Sequence, residues 1–163
     1  MIASIDYDQF IQSKLRRAEC NGFEPSPIIA PLFPFQKHVT EWAIRKGRAA
    51  LFEECGLGKT LQQLEWGRQV ANHTGGKGLL LTPLAVASQT LAEADKFGIP
   101  AQLVRQPEDI QPGINITNYE KLDLFDDIEF AGVVLDESSI LKNFTGKTRI
   151  KLTKRFADTP YRL

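Results

Sequence analysis

Gly56, Gly58, Lys59 and Thr60 close the stretch Leu51-Phe-Glu-Glu-Cys-Gly-Leu-Gly-Lys-Thr60, and these residue types in this order suit the holding of phosphate. Glycines let backbone N–H groups close on phosphate oxygens, a lysine reaches the terminal phosphates, and a hydroxyl takes a place beside Mg²⁺. The loop pattern G-x-x-x-x-G-K-[ST] has one irregularity here, Glu53 where glycine is expected. A second pair of chemical groups, Asp136 and Glu137, follows the apolar run Ala131 to Leu135. A carboxylate at the end of a buried strand suits the Mg²⁺ shell, and its neighbour can orient or deprotonate an attacking water. Each feature has a plainer reading. The loop could be a glycine-rich turn before a helix, and the acidic pair could cap a helix together with Ser138 and Ser139.

These groups meet only if the intervening elements bring them together. Ala49 to Phe52 reads as a buried strand feeding the loop, and Lys59 to Ala71 as the helix behind it. Further apolar strands are expected at Gly78 to Thr82, Ala101 to Val104, Ile114 to Thr117 and Ala131 to Leu135. Helical patterns fall at Ala85 to Phe97, Tyr119 to Phe125 and Thr148 to Phe156, and Tyr161 to Leu163 forms a last segment. Strands apolar on both faces, alternating with helices, argue for an α/β fold: a three-layer parallel sheet with helices on both faces. Such a sheet places its ligand at the carboxyl ends of the strands, where the loop and the acidic pair both lie.

Upstream, Tyr7, Phe10, Ile11, Leu15 and Ala18 recur at helical spacing. A proline-rich crossing from Phe23 to Pro34 is too stiff for helix. It leads into a helix from Phe35 to Lys46, with Phe35, Val39, Trp42 and Ala43 on one face and Gly47 as the stop. Residues 1–34 are thus expected to pack on a domain formed by residues 35–163.

At 163 residues the chain can bury a core without disulfides or metals. Its 20 basic and 20 acidic residues cancel, so no global basic field advertises a nucleic-acid partner. Cys20 and Cys55 form no zinc or disulfide pattern and read as reduced thiols. No apolar run is long enough to span a bilayer and no secretory leader is present, so a cytoplasmic protein without a membrane partner is expected.

Phe35-Gln36, Glu-Cys-Gly-Leu-Gly-Lys-Thr, Leu-Leu-Leu-Thr-Pro, Ile-Thr-Asn-Tyr-Glu and Val-Val-Leu-Asp-Glu-Ser-Ser-Ile-Leu-Lys-Asn occur in that order. Together they resemble the first RecA-like domain of superfamily 2 helicases. Within that superfamily the sequence is most similar to Snf-type translocases, including short phage and bacterial versions. The resemblance implies a RecA-like P-loop NTPase that uses ATP and Mg²⁺. It assigns Gln36 to adenine, Gly56 and Gly58 to the phosphate loop, and Lys59 to the β- and γ-phosphates. Thr60 and Asp136 fall to Mg²⁺, and Glu137 to the hydrolytic water. An acidic residue at the place of Glu53 is common in this branch. Thr82 and Pro83, and Thr117 to Glu120, match motifs on the family's nucleic-acid path, although Pro83 could simply end a strand and Tyr119 simply fill the core. The run Lys142, Asn143, Lys147, Arg149, Lys151, Lys154 and Arg155 reads chiefly as a solvated helix face, with phosphate contact by a few of them plausible.

Two departures stand out. Ser138 and Ser139 follow Asp-Glu where the family usually has a small residue and then His or Asp. The family also continues past the strand at Tyr161 into a second RecA-like domain that supplies arginines to the phosphate. The resemblance therefore implies a fragment that binds nucleotide and hydrolyses it poorly alone, in a protein whose partner is nucleic acid, expected to be double-stranded DNA. Two other readings fit the loop by itself: a different P-loop phosphotransferase, and a non-catalytic nucleotide-sensing or nucleic-acid-binding module.

Overall fold

The computed structural model describes residues 20–54, 56–136 and 146–163, without the side chains of residues 147 and 148. The helix expected at residues 6–18, Cys55, Glu137, Ser138, Ser139, Lys142 and Asn143 lie outside the described residues. Helix α1 runs Pro34–Lys46 and α2 Lys59–Thr74, followed by β1 (Lys77–Thr82), α3 (Ala87–Lys96) and β2 (Ala101–Leu103). After a 3-10 turn at Pro107–Asp109 come β3 (Gly113–Asn118), a longer 3-10 segment (Tyr119–Phe125) and β4 (Gly132–Leu135). Helix α4 (Lys147–Arg155) and β5 (Tyr161–Arg162) complete the order. No helix of the described residues is long and apolar enough to cross a membrane.

The five strands form one parallel sheet in the order β2-β3-β1-β4-β5. Because side chains alternate along a strand, each strand serves two cores. Leu80, Ile116 and Val134 face α1, α2 and α3 with Ile44, Leu64 and Val70. Leu79, Leu81 and Val133 face the other way, against Leu122, Phe125, Leu152 and Phe156. The three-layer arrangement expected from apolar-on-both-sides strands is the one observed.

One expected strand differs. Ala49 to Phe52 is not a strand: Arg48 makes a single parallel bridge to Arg162, and Phe52 is 91% exposed. Two backbone bonds flank that bridge, Arg162 N–H to the Gly47 carbonyl and Ala49 N–H to the Arg162 carbonyl, each 2.9 Å. Beyond Ala49 the described residues give the segment no strand to pair with, and apolar composition alone does not make one.

The crossing is extended and lies on α2, as its prolines require. Its grip is polar: Ser26 donates to Gln69 Oε1 from N–H (2.9 Å) and hydroxyl (2.7 Å), and Gln69 Nε2 returns a bond to the Ser26 carbonyl. Phe23 stacks on His73 at 3.9 Å, and Tyr161 meets both rings edge-on. Helix α2 is therefore enclosed between sheet and crossing, which explains why Gln62, Gln63, Glu65 and Gln69 are buried on it.

Candidate nucleotide site

The loop turns into α2 through two left-handed glycines, Gly56 at φ 86° and Gly58 at φ 71°. Apart from its chain neighbours, none of the described residues stands within 4 Å of where a side chain on Gly56 would begin, which leaves room there for a ligand. At Gly58 a Cβ would lie 2.6 Å from Gln36 Nε2. Lys59 opens the helix and folds back over the loop, its ammonium donating to the carbonyls of Glu53 (2.8 Å) and Glu54 (3.0 Å). The positive charge thus sits over the loop, held among the described residues by neutral carbonyls. A phosphate would offer it stronger, charge-assisted partners.

Gln36, 4% exposed, ties α1 to this loop. It accepts from Phe33 N–H (2.8 Å) and donates to the Leu57 carbonyl (2.7 Å). A carboxamide has two donors and two lone pairs, so one of each remains for a base edge. Glu53, the residue in glycine's usual place, accepts from Gln62 Nε2 at 2.7 Å and so moors the loop to α2.

Asp136 arrives from the opposite strand. Its N–H bonds the Leu81 carbonyl at 2.9 Å as β4 leaves the sheet beside β1. Gln63 of α2 donates to Asp136 Oδ1 at 2.9 Å, and the Tyr119 hydroxyl donates to the Asp136 carbonyl at 2.6 Å. Lys59, Gln63 and Leu135 line one cavity of about 210 Å³ beside the loop, together with Ala49 to Phe52. Arg162 also lines it, and burial, reinforced by the Arg48 guanidinium, lowers its pKa. The sheet therefore does bring the loop and the acidic strand end together. An open glycine backbone, a central ammonium, a helix-start hydroxyl on Thr60 and a fixed carboxylate fit a nucleotide phosphate with a hard divalent cation.

Two solved structures share this arrangement of elements. They are the SWI2/SNF2 ATPase core of Sulfolobus solfataricus in complex with double-stranded DNA (25% identity, TM-score 0.71) and the same organism's SWI2/SNF2 ATPase core domain (26% identity, TM-score 0.68). Each alignment covers 86% of this chain and 32% of the other. The fold is that of the first RecA-like domain of superfamily 2 helicases. The UvsW helicase from bacteriophage T4 shares that fold at 12% identity and TM-score 0.65, over 98% of this chain and 59% of its own. The chain thus spans about a third of the length of the Sulfolobus cores. No family model and no curated protein matches the sequence.

Other residues of this RecA-like domain that could touch nucleic acid are engaged internally. Thr82 and Thr117 are buried, their hydroxyls donating to the carbonyls of Pro83 (3.1 Å) and Val104 (3.0 Å). Tyr119 neither simply fills the core nor faces outward, since its hydroxyl holds Asp136. The basic helix is in part a solvated face, with Lys154 exposed and the Lys151 side chain 39% exposed. Lys151 pairs with Asp123, while Arg155 donates to the carbonyls of Phe125 and Ile128 and lies over the Phe130 and Phe156 rings. Gln62 and Gln63 escaped the sequence reading; the available signal was two polar residues on a helix face that should be buried.

Gly58→Ala is expected to destabilise the domain by about 1–2 kcal/mol from the left-handed backbone alone. Because Gln36 is held at both ends and cannot retreat cheaply, nucleotide affinity should fall with stability. Urea unfolding and a nucleotide titration of the same variant check both effects.

Proposed function

We propose that this chain is the ATP–Mg²⁺-binding half of a nucleic-acid-dependent ATPase, a helicase or duplex translocase. The observation that carries the reading is Lys59 at the centre of an open glycine loop, on the same helix whose next turn holds Asp136. Gln36 reads the adenine edge with its spare donor and lone pair, and the Gly56 to Thr60 backbone closes on phosphate oxygens. Lys59 exchanges its two carbonyl partners for β- and γ-phosphate oxygens. Thr60 and Asp136 would hold Mg²⁺, which supplies charge neutralisation at the phosphates. Glu137 orients the attacking water and takes its proton.

Double-stranded DNA is the proposed partner, supported by the duplex bound to one of the Sulfolobus cores. A second RecA-like unit is proposed to complete the site, as the 32% coverage suggests. Arginines on such a unit contribute about 10³–10⁵ in rate in phosphoryl transfer, so this chain by itself should bind nucleotide and turn it over slowly.

Titration with fluorescent mant-ATP and Mg²⁺ tests the reading, with Lys59→Ala as the comparison. Losing charge-assisted bonds worth about 1.5–3 kcal/mol should weaken binding roughly ten- to a hundredfold. Equal affinity of the two proteins would mean that the loop does not bind phosphate.

A further inference from the structure

We infer that Gln63 is a positioning residue for the metal-binding carboxylate of Asp136, and that Tyr119 completes the clamp. The inference rests on the proposed nucleotide reading and adds two residues that no phosphate-loop pattern contains.

Asp136 is fixed on both sides of its Cα. Its N–H bonds the Leu81 carbonyl of β1, and its carbonyl is capped by the Tyr119 hydroxyl. What remains free is rotation of the carboxylate about its side-chain bonds. Gln63 removes that freedom by holding Oδ1 at 2.9 Å. The amide is 8% exposed, so water competes poorly for the bond. A neutral donor is also the suitable one: it orients the carboxylate and leaves its full charge for a cation, whereas lysine or arginine would neutralise it.

The origin of the donor matters equally. Gln63 stands three residues past Thr60 on α2, and residues three apart are neighbours on a helix. The helix that presents the Thr60 hydroxyl therefore also sets the carboxylate of Asp136, although 73 residues separate Gln63 from it in sequence. One rigid element fixes both would-be ligands relative to each other. Tyr119, at the start of the 3-10 segment after β3, ties a third strand end to the same residue. Outer partners of metal ligands typically change metal affinity by about 10–100-fold when removed.

Gln63→Met keeps the length of the side chain and deletes its donor. The test measures mant-ADP affinity in EDTA and Mn²⁺ affinity of the protein–mant-ADP complex by electron paramagnetic resonance, for the parent chain, Gln63→Met and Tyr119→Phe. The expected result for Gln63→Met is mant-ADP affinity in EDTA within about twofold of the parent, with Mn²⁺ affinity down about 10–100-fold. Tyr119→Phe should show the same pattern with a smaller loss, and it decides the matter if Gln63→Met does not fold. Unchanged Mn²⁺ affinity in a folded variant, or a parallel loss in EDTA, would overturn the positioning role and leave the nucleotide reading standing. A parent chain that binds no mant-ADP would overturn both.

Discussion

Glu65→Ala is expected to destabilise the domain by about 3–5 kcal/mol, the cost of breaking a buried ion pair by removing one partner. The Glu65 side chain is fully buried on α2 and accepts from Arg68 Nε (3.1 Å), from Gln69 Nε2 (3.0 Å) and from the Ala30 N–H (3.4 Å). Alanine would leave the Arg68 guanidinium, 12% exposed, with the Pro27 carbonyl at 3.1 Å among the described residues and would unmoor Gln69, which grips Ser26. Since a whole domain has about 5–15 kcal/mol of stability, the loss is a large share of it. For a chain of this size the melting temperature should drop by roughly 6–20 °C. The double variant Glu65→Leu/Arg68→Met removes both charges and should recover much of that loss, because uncompensated charge rather than missing attraction dominates the single variant. Calorimetry of the two proteins checks the difference, and a double variant less stable than Glu65→Ala would mean that the pair itself is the main source of stability. Limited proteolysis should find residues 23–33 cut first in Glu65→Ala, since the crossing is held on α2 through this network.

Glu137→Gln, made in a protein that hydrolyses ATP, is expected to lower turnover by about 10²–10⁴-fold while nucleotide affinity stays within about twofold, the range a positioned general base contributes. Its sequence neighbour Asp136 leaves β4 at the carboxyl end of the sheet, fixed at backbone and carboxylate. Glutamine keeps the shape and hydrogen bonding of glutamate and removes its basicity. Steady-state hydrolysis and mant-ATP titration on the same preparation separate the two roles: matched losses of affinity and turnover would make Glu137 a structural residue.

Much of this molecule was legible from local sequence. Gly56, Gly58, Lys59 and Thr60 announce a phosphate loop because backbone freedom, charge and hydroxyl must come from those residue types at that spacing. Val133, Val134 and Leu135 before Asp136 announce a buried strand ending in a carboxylate, and the strand–helix alternation implies the sheet that brings the two together. The tertiary structure decided what depends on partners distant in the chain. Ala49 to Phe52 is as apolar as β1 yet forms no strand, because a strand exists only through the neighbour that takes its hydrogen bonds. Arg155 reads as part of a wet basic face, but the carbonyls of Phe125 and Ile128 draw its guanidinium inward, whereas Lys151 pairs with the exposed Asp123 at the surface. Gln63 and Tyr119 carry no local mark of their task. Their donors have meaning only once α2 and the end of β3 are packed around β4, where the half-buried Asp136 needs partners for its carboxylate and its carbonyl and these two side chains are within reach. Residue types and their spacing mark the groups suited to the chemistry; the packing of α2 against the sheet selects Gln63 and Tyr119 to hold Asp136.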